Sequence, residues 1–298
     1  MSNLPTPNDS GNEARHQAEI ASAGLPALLV EAKRIAQTVA QGVHGRRRVG
    51  QGESFWQFRR YQPGDSSQQI DWRQSARSKP LYVRETEWEA AQSVWLWRDL
   101  SPSMIYRSTE TLPAKFERRD VLLLALASVL NRGGERFALA GAGTRPLSGP
   151  TALERLWSLM KNQQPYQTEL LISEIPKHAH VVMFGDFLSP LDEIKNTMAM
   201  CAARNVRGHL VRIIDPAEEA FPFDGRIEFN DTESSDAFLI GRSELVRDTY
   251  KQAFEGHGLG LAELARAWGW SLTSHHTSQP AAPTLLSLYM SLSLRNEV

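Results

Sequence analysis

From Ser93 onward, short apolar runs alternate with longer stretches whose apolar residues recur every three or four positions. Ser93-Val94-Trp95-Leu96-Trp97 and His180-Val181-Val182-Met183-Phe184-Gly185 read as strands covered on both faces. Arg136 to Ala140, Arg207 to Ile214 and Trp270 to Thr273 read as further strands. Helical spacing covers Arg118 to Asn131, Thr151 to Met160, Leu191 to Ala203, Arg242 to Phe254, Leu261 to Trp268 and Thr284 to Leu294. The first of these is so apolar that it must be buried on nearly every side. Strand alternating with helix predicts an α/β fold, a doubly wound and mostly parallel sheet with helices on its faces. Ile227 to Phe229 and Ala237 to Ile240 add a hairpin at one side.

Upstream the pattern changes. Ala27 to Val43 places Leu28, Leu29, Ala32, Ile35, Ala36 and Val39 at helical spacing, with a stop near Gly42. A basic, Gly-rich loop follows from His44 to Gly52, and Glu53 to Arg84 reads as short strands and tight turns around Gln62-Pro63-Gly64-Asp65, not as a helix. These shifts divide the chain into a flexible tail over 1–26, a helix with a small β-rich lobe over 27–92, and the α/β domain over 93–298.

Composition narrows the class. A chain of 298 residues with 41% hydrophobic side chains can bury a real core. A formal net charge of −1 gives no overall pull toward nucleic acid or membrane. Cys201, the one cysteine, has no partner for an intrachain disulfide and lies in an amphipathic helix, which suits a core residue in a reducing compartment. Met1 to Asn12 lacks the basic-then-apolar pattern of a signal peptide. The longest apolar stretch, Val121 to Leu130, is about half a membrane span. The expectation is a cytoplasmic protein with no membrane span.

Two loops carry the candidate chemistry. Asp99-Leu100-Ser101-Pro102-Ser103-Met104 leaves the carboxyl end of the first buried strand with an oxygen donor at every second position, and open α/β sheets bind ligands at that end. Hard oxygens at this spacing suit a divalent cation, magnesium ahead of manganese or calcium, because magnesium accepts a few carboxylate or hydroxyl oxygens plus retained water. A turn in which Ser101 or Ser103 caps the next helix explains the hexapeptide equally well. Asp186 ends the second buried strand, ahead of Phe187-Leu188-Ser189-Pro190, which reads as a helix start with a Ser cap. If the two strands are neighbours, Asp99 and Asp186 face one small volume. Without a cation they repel there, or one keeps its proton.

The run from Arg46 through Met104 resembles the shared core of the domain-of-unknown-function 58 family. The pieces that carry the resemblance are Gly50-Gln51-Gly52-Glu53-Ser54-Phe55, Arg60-Tyr61-Gln62-Pro63-Gly64-Asp65, Ile70-Asp71-Trp72-Arg73-Gln74-Ser75-Ala76-Arg77 and Asp99 to Met104. Asp215-Pro216-Ala217-Glu218 with Phe221-Pro222 is similar to a later segment of that family. The resemblance implies a von Willebrand factor A-like domain with a metal-ion-dependent adhesion site. By position, Asp99, Ser101 and Ser103 match its first metal loop and Asp186 its acidic third loop. The threonine of the second loop falls to Thr151, with Thr144 as the other candidate, although Thr151-Ala152-Leu153-Glu154 is also a capping box with its own structural explanation. Arg98 departs from the family, which has an apolar residue there. Its guanidinium lies at a sheet edge or pairs with a carboxylate, and would weaken cation binding if aimed into the site. Also implied are capture of a partner's aspartate or glutamate through the cation, and work as an adaptor beside a hexameric AAA ATPase of the MoxR type.

Two rival functions also fit parts of the sequence. Arg46, Arg47, Arg48, Arg59, Arg60, Arg73 and Arg77 interleave with Phe55, Trp56, Phe58, Tyr61 and Trp72, a mixture over 46–84 that could grip phosphates and stack bases. Pairing of those arginines with Asp65, Asp71, Glu85 and Glu87 is the plainer explanation, and neutral overall charge favours it over nucleic-acid binding. For enzymes, an aspartyl phosphoryl-transfer site would want a carboxylate where Ser101 stands, and neither a phosphate-binding loop motif nor G-x-S-x-G occurs. A metal-dependent phosphoester hydrolase is the enzymatic alternative left, with no catalysis as the main expectation. His275-His276 is too isolated for a metal pair, and His178 and His180 are expected to flank a strand at the surface.

Overall fold

The computed structural model describes residues 31–40, 55–60, 72–75, 80–86, 93–163, 170, 172–230 and 237–294. The expected tail over 1–26 lies outside them. The chain divides into two units, residues 47–92 and the remainder. A helix over residues 31–40 (α1) belongs to the larger unit rather than to the lobe with which the sequence grouped it. In the smaller unit, β1 (Phe55–Arg60) pairs antiparallel with β2 (Tyr82–Thr86). One short helix, α2 (Trp72–Ser75), precedes β2 where only strands and turns were expected, and Tyr82 N donates to Ser75 Oγ at 2.9 Å.

The larger unit continues through β3 (Val94–Arg98), α3 (Lys115–Arg132), β4 (Phe137–Leu139), α4 (Ala152–Asn162), β5 (His180–Gly185) and α5 (Leu191–Ala202). It ends with β6 (Arg207–Ile214), α6 (Pro216–Ala220), β7 (Ile227–Asn230), β8 (Ala237–Ile240), α7 (Arg247–Ala267), β9 (Ser271–His276) and α8 (Ala281–Leu294). Among the described residues, five strands form one sheet in the order β4-β3-β5-β6-β9, and its pairings are parallel. The predicted hairpin is the antiparallel pair β7·β8.

Alternation along the strands builds a core on each face. Leu96, Val182, Phe184, Val211 and Ile213 pack with α1, α3, α4 and α8. Trp95, Val181, Met183 and Leu210 pack with α5 and α7. Both faces are therefore apolar, as parallel strands under helices require, and α3 is buried continuously from Val121 to Leu130.

The strand order positions the site. From β3 the chain crosses to β4 on one side, and from β4 it returns past β3 to β5, then continues outward to β6 and β9. The helices that follow β3 and β5 lie on opposite faces. The loops leaving these two strands consequently part, and a crevice opens between their carboxyl ends, the place where doubly wound sheets receive ligands.

Several details differ from the sequence reading. The run Gly256-His257-Gly258-Leu259-Gly260 was expected to separate two helices, yet α7 passes through it unbroken. Tertiary packing overrides glycine's poor helix propensity here. A Cβ on Gly258 would lie 2.7 Å from Arg212 Nη1, and one on Gly260 would lie 2.5 Å from Leu191 Cδ1. The helix after Asp186 starts at Leu191 with Pro190 before it, so Ser189 is not its cap. His180 is buried, not at the surface, and stacks on His209 with ring centroids 5.9 Å apart. Cys201 is buried, and burial pushes its thiol up to about 11, which suits an inert core residue. Among the described residues, no helix is long and apolar enough to cross a membrane.

Two outcomes follow from the packing. Gly208→Ala should destabilise the protein by at least about 2 kcal/mol, because a Cβ there would lie 2.0 Å from Trp270 Cε3. Gly256→Ala faces open space and should stabilise by up to about 1 kcal/mol. Urea unfolding of both variants checks the pair. His275 is buried against Thr284, its Nδ1 2.8 Å from Thr284 Oγ1. Burial, with Arg118 and His276 nearby, lowers its pKa from 6.5 to about 4. As pH falls, the unfolded chain takes this proton first, so stability present above about 6.5 is lost progressively toward about 4, by up to about 3 kcal/mol. Urea midpoints over that range should fall more steeply for the wild type than for His275→Gln.

Candidate metal centre at the sheet rim

β3 and β5 end side by side, with Arg98 opposite Phe184 in register. Asp99 N donates to Phe184 O at 2.8 Å, which carries the pairing one residue past the strand. The Asp99 side chain then leans over Gly185, where a Cβ would lie 2.8 Å from Asp99 Cβ and 2.9 Å from its Oδ2. Glycine is what lets the carboxylate lie down on the sheet end.

From there the oxygens converge. Asp99 Oδ1 accepts from Ser101 N at 2.9 Å, and Ser101 Oγ lies 2.9 Å from Ser103 Oγ. Ser103 Oγ donates to Asp186 Oδ2 at 2.7 Å. Asp99, Ser101, Ser103 and Asp186 are thus brought together as expected. Burial, and after it the charge of Asp186, pushes the Asp99 carboxyl above the usual carboxylate range. The capping explanation for the hexapeptide does not hold. Ser101 precedes the 3₁₀ turn Pro102–Ile105, but its hydroxyl goes to Ser103 instead of capping that turn.

Thr151 is not part of the cluster. The end of α4 that reaches the rim is its C-terminus, where Arg98 donates to Met160 O and, at 2.6 Å, to Gln163 Oε1. The start of α4 stands about 16 Å away along an eleven-residue helix. There Gly149 exchanges two hydrogen bonds of 3.0 Å with Asn131, near the far end of α3. Thr151 is exposed at that end, and among the described residues its hydroxyl makes no capping bond. Thr144 Oγ1 is buried without a hydrogen-bond partner among the described residues and takes no part in the bonds around Asp99 or Asp186.

Lys115, which the sequence reading missed, completes the cluster. It opens α3, which starts three positions earlier than expected, with Ala114 N donating to Glu117 Oε2 at 2.9 Å. Its ammonium donates to Asp186 Oδ2 at 2.9 Å and to Glu218 Oε1 at 2.6 Å. Burial alone would lower the pKa of Lys115, but Asp186 and Glu218 outweigh it and hold the ammonium above its usual value. Glu218 is anchored in turn, since its Oε2 accepts from Asp215 N at 2.8 Å. Asp215 caps α6 by accepting from Ala217 N at 2.9 Å and ties in Ser108 N at 2.9 Å. A sequence signal for Lys115 did exist. A cation in the first turn of a helix opposes the helix dipole, so a buried one there demands carboxylates.

Below the rim, Arg98 points into the α3 and α4 side, away from the cluster. It lies 3.3 Å from Asp120 Oδ2, and burial lowers its guanidinium to about 10. Arg119 donates to Asp120 Oδ1 at 2.8 Å and also to Asp99 O, pinning the first loop from beneath. Burial would raise the pKa of Asp120, but Arg119 and Arg98 together hold it below the ordinary range.

Among the described residues, no three His, Cys, Asp or Glu side chains are grouped to hold a metal. The rim set differs in drawing half its donors from serine hydroxyls. Of the arginine and aromatic set in the lobe, Trp72 is 64% exposed and Arg73 is exposed. Arg46, Arg47, Arg48, Tyr61 and Arg77 lie outside the described residues, as do the side chains of β1. Gly185→Ala should cost about 1–3 kcal/mol by forcing Asp99 off the sheet end. Urea unfolding measures that cost, and a neutral result would mean that the carboxylate is not packed there.

Uncharacterized proteins from Mycobacterium bovis and Mycobacterium tuberculosis are each 24% identical to this chain over 277 residues, which is 87% of this chain and 85% of theirs. Among solved structures, the conserved hypothetical protein BatB from Bacteroides thetaiotaomicron aligns at 11% identity with a TM-score of 0.40, over 68% of this chain and 98% of that one. An aerotolerance-related membrane protein from Bacteroides fragilis aligns at 9% identity with a TM-score of 0.39, over 68% of this chain and 98% of that one. Residues 57–259 match the family described as Protein of unknown function DUF58. That stretch holds Asp99, Ser101, Ser103, Lys115, Asp186 and Glu218, and the chain belongs to the DUF58 family.

Proposed function

We propose that this chain is a von Willebrand factor A-like binding module whose rim cluster takes a divalent cation, magnesium first, and through it an acidic side chain of a protein partner. The convergence of two carboxylates and two hydroxyls at the carboxyl ends of adjacent strands carries the reading. Their hydrogen-bonded separations are compatible with an octahedral ion. Ligands at right angles around a magnesium with bonds of about 2.0–2.1 Å stand about 2.9 Å apart. Ser101 Oγ and Ser103 Oγ are 2.9 Å apart, and Ser103 Oγ and Asp186 Oδ2 are 2.7 Å apart. The donors are hard oxygens, and the raised Asp99 carboxyl marks charge that a dication would relieve.

In such a site Asp99 and Asp186 supply the balancing charge while Ser101 and Ser103 supply neutral donors. The ion, when bound, offers a Lewis-acid position to an incoming carboxylate oxygen. Two carboxylates balance a dication and Glu218 balances Lys115, so the attraction for a further carboxylate comes from the open coordination position of the ion itself. Ile105 and Leu188, on the same two loops, are 49% and 43% exposed and offer the partner apolar contact around its acidic residue. The family resemblance adds a MoxR-type AAA ATPase as partner class, with this chain as adaptor in protein maturation or complex assembly.

Calorimetric titration with Mg²⁺ tests the reading. Wild type should give a saturable signal that Asp99→Ala lacks while keeping its far-UV circular dichroism. Partner capture should be chelator-sensitive and should weaken by about 2–5 kcal/mol in that variant. Unchanged Mg²⁺ binding and capture by Asp99→Ala would overturn the proposal.

A further inference from the structure

The rim already carries a cation of its own. Lys115 is 0% exposed, and a buried ammonium in the first turn of a helix is disfavoured both by desolvation and by the helix dipole. The fold retains it because carboxylates from two separate segments, Asp186 in the loop after β5 and Glu218 in α6, close on it. The oxygen it grips, Asp186 Oδ2, is also the one that accepts from Ser103. That is the oxygen Asp186 would turn toward a divalent ion. An ion bound to it would stand no more than about 5 Å from Lys115 Nζ, given a bond of about 2.1 Å and the 2.9 Å to the ammonium. Positive charges that close, away from bulk water, oppose one another strongly.

We infer that Lys115 is a tethered counter-cation that competes with the divalent ion for Asp186, keeping the ion-free rim stable and the ion's affinity low. The inference rests on the metal-binding reading above and concerns its regulation. Glu218 makes the competition reversible. Its Oε1 holds the ammonium at 2.6 Å while its Oε2 is fixed to Asp215 N at 2.8 Å. When Asp186 swings to an ion, the lysine keeps a buried partner and need not reach solvent. Ion uptake then exchanges one hydrogen bond rather than expelling a side chain. Lys115 and Glu218 act as affinity-setting residues and not as ligands.

The test compares wild type with Lys115→Met and with Lys115→Met/Glu218→Gln, using magnesium chloride as the probe. The double variant removes one charge of each sign, so Glu218 is not left as an unpaired carboxylate. Asp186, which loses the ammonium in both variants, keeps its bond from Ser103. Far-UV circular dichroism checks that each variant is folded. Its net charge equals that of the wild type, so tighter binding reports competition rather than bulk charge. Calorimetry should give at least about tenfold tighter Mg²⁺ binding in the variants, and Mg²⁺ should raise their melting temperatures more than that of the wild type. Equal or weaker binding in the variants overturns the inference and leaves the rim as a metal site. Binding in the variants with none in the wild type overturns metal use by the native chain, and with it the inferred reversible competition. No binding in any of the three overturns both.

Discussion

Carboxylates gathered at the mouth of a parallel sheet must be neutralised, and the carboxyl rim of this protein is organised around that demand. Asp99 and Asp186 are delivered to adjacent strand ends by the pairing of β3 with β5. Glu218 joins them from the turn after β6. Lys115 answers two of the three directly, and the serine hydroxyls link the two aspartates without adding charge. Burial, and after it the charge of Asp186, raises the Asp99 carboxyl against the weaker opposing pull of the Ser101 bonds and Arg119.

The same balance extends beneath the rim. Arg98, Arg119 and Asp120 form a buried group of two cations and one anion, with Gln163 and the Met160 carbonyl taking the remaining donors of Arg98. Through the Asp99 carbonyl, Arg119 ties this group to the first loop. The loop is thereby held by α3 from below, by Gly185 at its side and by Ser103 through Asp186 across the crevice. Buried polar groups so fully engaged favour one arrangement over near alternatives. Rigid donors are what the proposed cation site would need.

How far the chain reveals itself depends on the range of the force involved. Strand and helix periodicity is a local property, and it marks β5, α5, β6 and the β7·β8 pair to within a residue or so. It fails where a distant side chain decides. Gly258 and Gly260 lie inside a continuous helix because Arg212 and Leu191 occupy the space that larger residues would need. Thr151 satisfies a local motif, yet α4 runs away from the rim at its N-terminus and toward it at its C-terminus, a direction that no motif encodes.

The site divides the same way. Asp99, Ser101, Ser103 and Asp186 were legible because each follows a buried apolar run, and a strand's carboxyl end is where such sheets expose their donors. The sequence by itself therefore determined most strands and helices of the larger unit, the parallel sheet and the two acidic loops. Only the tertiary structure decided that β3 and β5 flank the switch point, that Thr151 stays outside, and that Lys115 takes a place between Asp186 and Glu218. Patterns of hydrophobicity are written residue by residue, whereas charge compensation in a buried place is settled among side chains that meet only once the sheet has formed.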